Sequence, residues 1–141
     1  MNKGAKLKWL GGMAFNAELN GHHFKLDADP KVGGKDLGPK PKGLLLSSLA
    51  GCTGMDVVSI LKKMKVEDYE LELNASADST EEHPIYYHTI YLDYVFTGNQ
   101  LPANKIKKAV DLSETRYCGV SAMLKQAAKI ITRIIINGKE V

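Results

Sequence analysis

Residues 41–64 read PKGLLLSSLAGCTGMDVVSILKKM, and this stretch decides the fold. Pro41 suits the first turn of a helix, and the lysines around Lys62 favour its C-terminal end. Apolar side chains occur on nearly all sides of its first two thirds, which a surface helix would not show. The stretch therefore predicts a helix of roughly 36 Å. We expect that helix to be buried on most sides, with a second subunit contributing to its burial.

Short strands are predicted before this helix. Three mixed segments form an antiparallel meander in this interpretation: residues 6–10, 13–19 and 22–28. The pair Asn20-Gly21 between the last two segments is a hairpin signal. Residues 29–42 are rich in glycine and proline, so they predict a loop that leads into the helix.

Further strands and helices are predicted after it. Polar and apolar residues alternate over 69–77 and 88–96, which predicts two long, paired strands. Three elements follow in this interpretation: helices at 103–115 and 118–129, and a strand at 130–136. The first of these helices has an apolar face that includes Ser113. The length of 141 residues fits one domain, 1–141.

Composition and charge limit the classes of function. The formal net charge of +3 comes from lysines scattered along the chain, which gives little support for nucleic-acid binding. Met1 to Lys8 are followed by a mixed stretch rather than by the apolar segment of a signal peptide, so we expect a cytoplasmic protein. Leu44 to Leu61 is interrupted by polar residues, which favours a buried helix of a soluble protein over a membrane span.

The two cysteines are the candidates for chemistry. Cys52 lies inside the long helix, and Cys118 opens a later one. In a reducing cytoplasm a permanent disulfide is not expected, so the residues alone leave two interpretations open: packing as small apolar side chains, or redox chemistry. Their spacing matches no metal-ligand motif, so no metal site is predicted. Asp56, one helical turn after Cys52, is either a hydrogen-bonding group of the helix or an electrostatic influence on that thiol.

Two segments carry a resemblance to a known family. Residues 38–61 resemble the core motif of the OsmC/Ohr family, named for osmotically inducible protein C and organic hydroperoxide resistance protein. Residues 113–124, SETRYCGVSAML, resemble the segment that holds the second cysteine of that family. Residues 81–84 resemble a connection found in its YhfA-like branch. The resemblance implies an α+β fold in which antiparallel sheets wrap around long central helices of an entwined homodimer, with two sites at the subunit interface.

The resemblance also implies an activity, the reduction of organic hydroperoxides without metal or organic cofactor. Cys52 would attack the peroxide and become a sulfenic acid, and Cys118 would resolve it to a disulfide. A small or protein dithiol would then reduce that disulfide. Nucleic acid and membrane are not expected partners. The alternative is a non-enzymatic dimer that senses oxidants through the same cysteines or binds an apolar ligand.

Activation of the first thiol is where this chain differs from the family. In the family a glutamate after the helix-opening proline holds an arginine against the reactive thiol. Here Lys42 follows the proline, and no arginine occurs before Arg116. We therefore consider Arg116 and Lys42 as the cations that stabilise the thiolate. Glu82 and His83 are considered as possible neighbours of the site, because they belong to the connection that resembles the YhfA-like branch.

Overall fold

Residues 3–141 are described by a computed structural model, so Met1 and Asn2 of the charged N-terminal stretch lie outside the described residues. Contacts divide the chain into two compact units, one ending at Leu45 and the other beginning at Leu46. The elements are a mixture of helices and two separate sheets, which confirms the α+β class. Each unit is described in turn below. The expectation of a single domain stays a prediction.

The first unit contains the predicted meander. Its three strands are β1 (Lys6–Gly11), β2 (Ala14–Leu19) and β3 (His22–Leu26), paired antiparallel in the order β1-β2-β3. Asn20 and Gly21 both have positive φ, as a tight hairpin turn requires. The following loop contains a 3₁₀ turn, Pro30–Val32. The carboxylate of Asp27 holds this loop by accepting backbone N–H groups, among them those of Lys35 and Leu37.

The long helix α1 runs over Leu44–Lys63. It begins three residues after Pro41, because residues 41–43 form a turn instead of the first helical turn. The helix is therefore about 30 Å long. Within the single chain its burial is one-sided: one face is buried (Leu49, Thr53, Gly54, Val57, Leu61), whereas Leu45, Met55 and Val58 are exposed. Burial on most sides is thus not achieved by this chain alone.

The helix α1 is also apolar enough, with a mean hydropathy of 1.7, to cross a membrane by length and composition alone. The packing of α1 against the second sheet favours a role as a core helix instead. Leu49, Val57 and Leu61 are completely buried in the same apolar cluster as the second sheet. A core helix of a soluble protein passes the same test of length and composition. The sequence interpretation of a buried soluble helix is consistent with this packing.

The second unit is built on a four-stranded sheet. Its strands are β4 (Glu70–Ser79), β5 (Tyr87–Thr97), β6 (Lys129–Ile136) and β7 (Lys139–Glu140), in that order across the sheet. The predicted pairing of the two alternating segments is confirmed, because β4 and β5 are antiparallel neighbours. The strand β6 lies parallel to β5, with the later helices forming the crossover. Alternate residues of β5 are buried in the core: Ile90, Leu92, Tyr94 and Phe96.

The two later helices are shorter than predicted. Helix α2 spans Ala103–Leu112, and its predicted apolar face is confirmed by the burial of Ile106, Ala109, Val110 and Ser113. The chain then widens into a π-helical turn, Ser113–Tyr117, before α3 (Gly119–Leu124) begins. The prediction of a helix to residue 129 is wrong, because Lys129 is already extended and paired in register with Thr89 of β5.

Candidate active site

Cys52 lies near the middle of α1 and is partly exposed. Asp56 follows it by four residues, a spacing that puts both side chains on the same face of a helix. The Asp56 side chain is only partly exposed as well. Helix α1 therefore presents a thiol and a carboxylate side by side.

Cys118 is held at the start of α3 by the π-helical turn. Its backbone N–H donates to the carbonyl oxygen of Ser113 at 2.7 Å, which closes the wide turn. Its Sγ accepts the N–H of Ser121 at 3.3 Å and so caps the helix. The residue is 3% exposed. The turn thus fixes the buried position of this sulfur, and nothing in the sequence pattern predicts a π-helical turn there.

The fold brings the two cysteines together. The Sγ atoms of Cys52 and Cys118 and a carboxylate oxygen of Asp56 all lie within 4.8 Å of one another. The carboxylate of Asp56 is positioned by the buried Ser113, whose hydroxyl donates to Oδ2 at 3.0 Å. Both cysteines of the predicted pair are therefore at one place, together with Asp56, which the sequence analysis placed one turn after Cys52. The structure adds the contact of Asp56 with Ser113.

The two thiols sit in unequal environments. Burial raises the pKa of the Cys118 thiol to about 11, and the neighbouring Cys52 thiol adds to this rise. Cys118 is consequently a neutral thiol at physiological pH. Cys52 is the more exposed of the two sulfurs. An incoming reagent therefore meets Cys52 first.

Two further ionisable groups, Tyr94 and Glu114, lie near Cys118. The Tyr94 hydroxyl is buried and has no hydrogen-bond partner among residues 3–141, and burial raises its pKa. The Glu114 carboxylate accepts the Thr132 hydroxyl at 2.6 Å, and burial raises its pKa too. Burial in both cases favours the neutral form.

A pocket of about 440 Å³ adjoins the thiol cluster through Asp56. It is lined by Asp56, Ser59, Ile60, Lys63, Leu112 and Tyr117. Ile60, Leu112 and Tyr117 give it an apolar wall, and Lys63 adds a cation. The pocket reaches the cluster at Asp56, and neither cysteine lines it.

The two candidate cations have different positions. Arg116 is in the π-helical turn, and its guanidinium carbon lies 5.7 Å from the centroid of the exposed Tyr117 ring. Tyr117 itself lines the pocket beside Asp56. Lys42 is exposed in the turn before α1 and belongs to the first unit. The roles of both residues in thiolate activation stay predictions.

Glu82 and His83 line a different, open pocket of about 600 Å³. It is built from residues 79–88, and neither cysteine is among its lining residues. Their role as site neighbours also stays a prediction. The expectation of no metal site likewise stays a prediction. Spacing along the chain does not reveal that the tertiary fold gathers Cys52, Asp56 and Cys118, with their sulfur and oxygen atoms within 4.8 Å of one another.

Fold and site together define a class: a mixed α+β protein in which two cysteines, remote in sequence, meet beside a carboxylate. Comparison with known families gives the class its name. The family of OsmC-like proteins matches residues 33–133, which include both cysteines. The chain belongs to the OsmC-like protein family, as the sequence resemblance predicts.

Individual relatives agree with this assignment. Protein YhfA of Escherichia coli K12 is 34% identical over 127 residues, which cover 89% of this chain and 92% of YhfA. The OsmC-like protein of Mycoplasma pneumoniae has a TM-score of 0.79 at 21% identity, covering 96% of this chain and 97% of its own. An organic hydroperoxide resistance protein from Elizabethkingia anophelis has a TM-score of 0.68 at 14% identity, with 97% of each chain covered. The similarity to these two solved structures shows that this chain has the same fold as they do.

Proposed function

We propose that this protein is a thiol-dependent peroxidase that reduces organic hydroperoxides through Cys52 and Cys118. The observation that carries the proposal is the approach of the two Sγ atoms to within 4.8 Å. A sulfenic acid formed on one cysteine would need a thiol this close to be captured before further oxidation. The same fold in a protein called an organic hydroperoxide resistance protein supports the choice of substrate.

The reaction proceeds in three balanced steps. The thiolate of Cys52 attacks the outer oxygen of the hydroperoxide, so that the S–O bond forms and the O–O bond breaks, and the departing alkoxide takes a proton from solvent to leave as the alcohol. The Cys118 sulfur then attacks the sulfenic acid, forming the disulfide and releasing water. A small or protein dithiol finally reduces the disulfide by thiol–disulfide exchange and is itself oxidised. No metal or organic cofactor is required.

The different environments of the two thiols support these roles. Cys52 is partly exposed, so it is accessible to an incoming hydroperoxide, and the pocket lined by Asp56 lies next to the thiol cluster. Cys118 is buried and neutral at physiological pH because its pKa is raised. A neutral thiol can supply the proton that the departing water needs. Cys52 is therefore the proposed peroxidatic cysteine, and Cys118 is the proposed resolving cysteine.

The thiolate of Cys52 needs a stabilising cation because Asp56 lies beside it. A nearby carboxylate disfavours a second negative charge. Arg116 and Lys42 are the proposed cations, and Arg116 has the added support of lying two residues before Cys118. Replacing Arg116 by alanine is expected to move the pH midpoint of Cys52 alkylation upward, because a cation that would favour the thiolate is lost. The midpoint is measured with iodoacetamide in a Cys118→Ser background.

Lys42→Ala in the same background tests the second cation. An upward shift in only one of the two variants would identify the residue responsible. Unchanged midpoints in both would reject both assignments and leave the activation of Cys52 to another group.

We also propose that the protein is a homodimer. Met55 and Val58 of α1 are exposed by 76% and 46%, although α1 has a mean hydropathy of 1.7. They border an apolar groove of about 590 Å³ that includes Leu71 and Leu73 of β4. Exposed apolar surface of this kind on a soluble protein marks an interaction site. A second copy of the chain, as the family resemblance implies, would cover it.

If a second subunit covers the groove at Met55 and Val58, a charge introduced there should disrupt the dimer. Met55→Asp is expected to shift the protein from dimer to monomer, because a buried unpaired carboxylate costs several kcal/mol. Sedimentation velocity measures the change. The matched control is Met123→Asp, since Met123 is 67% exposed but does not line the groove. Loss of the dimer in both variants, or in neither, would contradict this interface.

The test of activity is the consumption of cumene hydroperoxide with dithiothreitol as reductant. We expect faster turnover with cumene hydroperoxide than with hydrogen peroxide, because the pocket wall of Ile60, Leu112 and Tyr117 favours an apolar substituent. Equal rates would argue against substrate binding in this pocket. Absence of turnover with either substrate would reject the peroxidase.

A redox sensor is the second candidate function. The same approach of the two sulfurs would allow a disulfide to form without repeated turnover. Disulfide formation by an oxidant in a protein that does not turn over would favour this function.

We place either activity in the cytoplasm, where reducing conditions keep both thiols available. Glu82 and His83 remain proposed neighbours of the site. The pocket that they line includes neither cysteine, so the second subunit of a dimer would have to bring these two residues close to the thiols.

A further inference from the structure

The geometry of Cys52, Asp56 and Cys118 leads to a further assignment. We propose that these three side chains, in the reduced protein, bind a thiophilic divalent cation such as Zn²⁺. The donor atoms are two sulfurs and one carboxylate oxygen, all within 4.8 Å of one another. Cysteine thiolates and carboxylate oxygens are both ordinary ligands of zinc. The peroxidase reaction requires no such site, and the inference does not rest on that reaction.

The distances suit a tetrahedral ion after small movements. Bonds of about 2.3 Å to sulfur and 2.1 Å to oxygen place tetrahedral ligands roughly 3.6–3.8 Å apart. The donor atoms lie within 4.8 Å of one another, so an adjustment of about 1 Å would be the most that is needed. Side-chain rotation of the partly exposed Cys52 and Asp56 can supply it. The backbone does not have to move.

Asp56 is held in a way that suits a metal ligand. The hydroxyl of Ser113 donates to Oδ2 at 3.0 Å, and Ser113 itself is fully buried. Metal-binding carboxylates are commonly oriented by such an outer hydrogen bond, with the other oxygen available to the ion. The sequence puts Asp56 and Ser113 on different helices, so their contact is a product of the tertiary fold.

Charge gives an independent reason. Two thiolates and a carboxylate would bring three negative charges to one place, and a divalent cation bound between them would offset that charge. Binding would release the two thiol protons to solvent as the sulfurs coordinate. Asp56 therefore has a clear purpose in a cation site.

The site would be open on one side. Asp56 lines the pocket of about 440 Å³, so a water molecule from that pocket can complete the coordination of the ion. Oxidation of the cysteines to a disulfide would remove both sulfur ligands. The ion would then be held by the reduced protein only, and its occupancy would keep both thiols from reacting with oxidants.

The test is a calorimetric titration of tag-free, fully reduced protein with Zn²⁺. We expect one ion per chain, no binding at this site after diamide has formed the disulfide, and none in Cys52→Ser. Asp56→Asn is expected to weaken binding by about tenfold or more. The matched control is Asp78→Asn, whose carboxylate accepts the Tyr91 hydroxyl on the surface of β4 and should leave the affinity unchanged.

A second measurement avoids dependence on the folding of variants. Co²⁺ added to the wild-type protein is expected to produce a sulfur-to-cobalt charge-transfer band, which disappears when Zn²⁺ is added. Absence of that band, or absence of calorimetric heat at about 10 μM Zn²⁺, overturns the proposal. Binding that persists in Cys52→Ser or in the disulfide form overturns it too, because the ion is then elsewhere. Hydroperoxide turnover of the metal-free wild type is measured separately, so either proposal can fail alone.

Discussion

Replacing Cys52 by serine is expected to lower the rate of hydroperoxide consumption by about a thousandfold or more. The serine hydroxyl does not ionise near neutral pH and cannot attack the peroxide as a thiolate does. Cys118 cannot substitute for it, because this thiol is 3% exposed and its raised pKa keeps it protonated. The rate is followed as the loss of cumene hydroperoxide in the presence of dithiothreitol, with a protein-free reaction subtracted.

The variant Cys118→Ser tests the resolving role of Cys118. It keeps the first oxidation step, so we expect it to consume about one equivalent of peroxide rapidly and then to slow. Without a resolving thiol the sulfenic acid of Cys52 would proceed to sulfinic acid when peroxide is in excess, which mass spectrometry detects. Wild-type turnover in Cys52→Ser would exclude this residue as the nucleophile. Sustained wild-type turnover in Cys118→Ser would exclude a resolving role for Cys118.

The second large effect concerns the core that supports the site. Phe96→Ala is expected to destabilise the protein by about 3–5 kcal/mol, the range typical of removing a buried aromatic ring. Phe96 is completely buried on β5, and its ring packs edge-on against Tyr69 with centroids 5.4 Å apart. Removing it leaves a cavity between elements that cannot easily close. Urea denaturation gives the change in the free energy of unfolding.

A matched control separates this cavity effect from a general loss of strand stability. Tyr91 is an aromatic residue of the same strand but is exposed, and its hydroxyl donates to Asp78. Tyr91→Ala is expected to cost about 1 kcal/mol. Both variants are measured at one protein concentration, because the proposed association with a second subunit would contribute to the measured stability. Equal losses in the two variants would contradict the assignment of Phe96 to the core.

Much of the fold could be predicted from the sequence because its signals are local. Alternation with period two places Ile90 and Leu92 on one face of a strand, and those residues are buried on β5. The apolar length of α1 and the glycine turns of the first meander are local signals as well. The residues at which helices and strands end are harder to predict from the sequence. The end of α3 depends on the pairing of Lys129 with Thr89, which lies far away in sequence.

The candidate site was predictable only in part. The two cysteines could be paired through a family resemblance, whereas their spacing along the chain contains no information about their distance. Asp56 could be placed one turn from Cys52 by helical periodicity. Its contact with Ser113 spans 57 residues and depends on the packing of α1 against the π-helical turn. No pattern in the sequence predicts that turn, so the contact of Asp56 with Ser113 and its approach to Cys118 could be learned only from the structure.

The central claim is that Cys52 and Cys118 form a redox pair, and intact-mass and peptide analysis tests it most directly. The reduced protein is treated with one equivalent of cumene hydroperoxide, quenched with an alkylating agent and digested. The account predicts a loss of two hydrogen atoms per chain and a single linked peptide joining Cys52 to Cys118. Recovery of both cysteines in alkylated form, with no linked peptide, would contradict it.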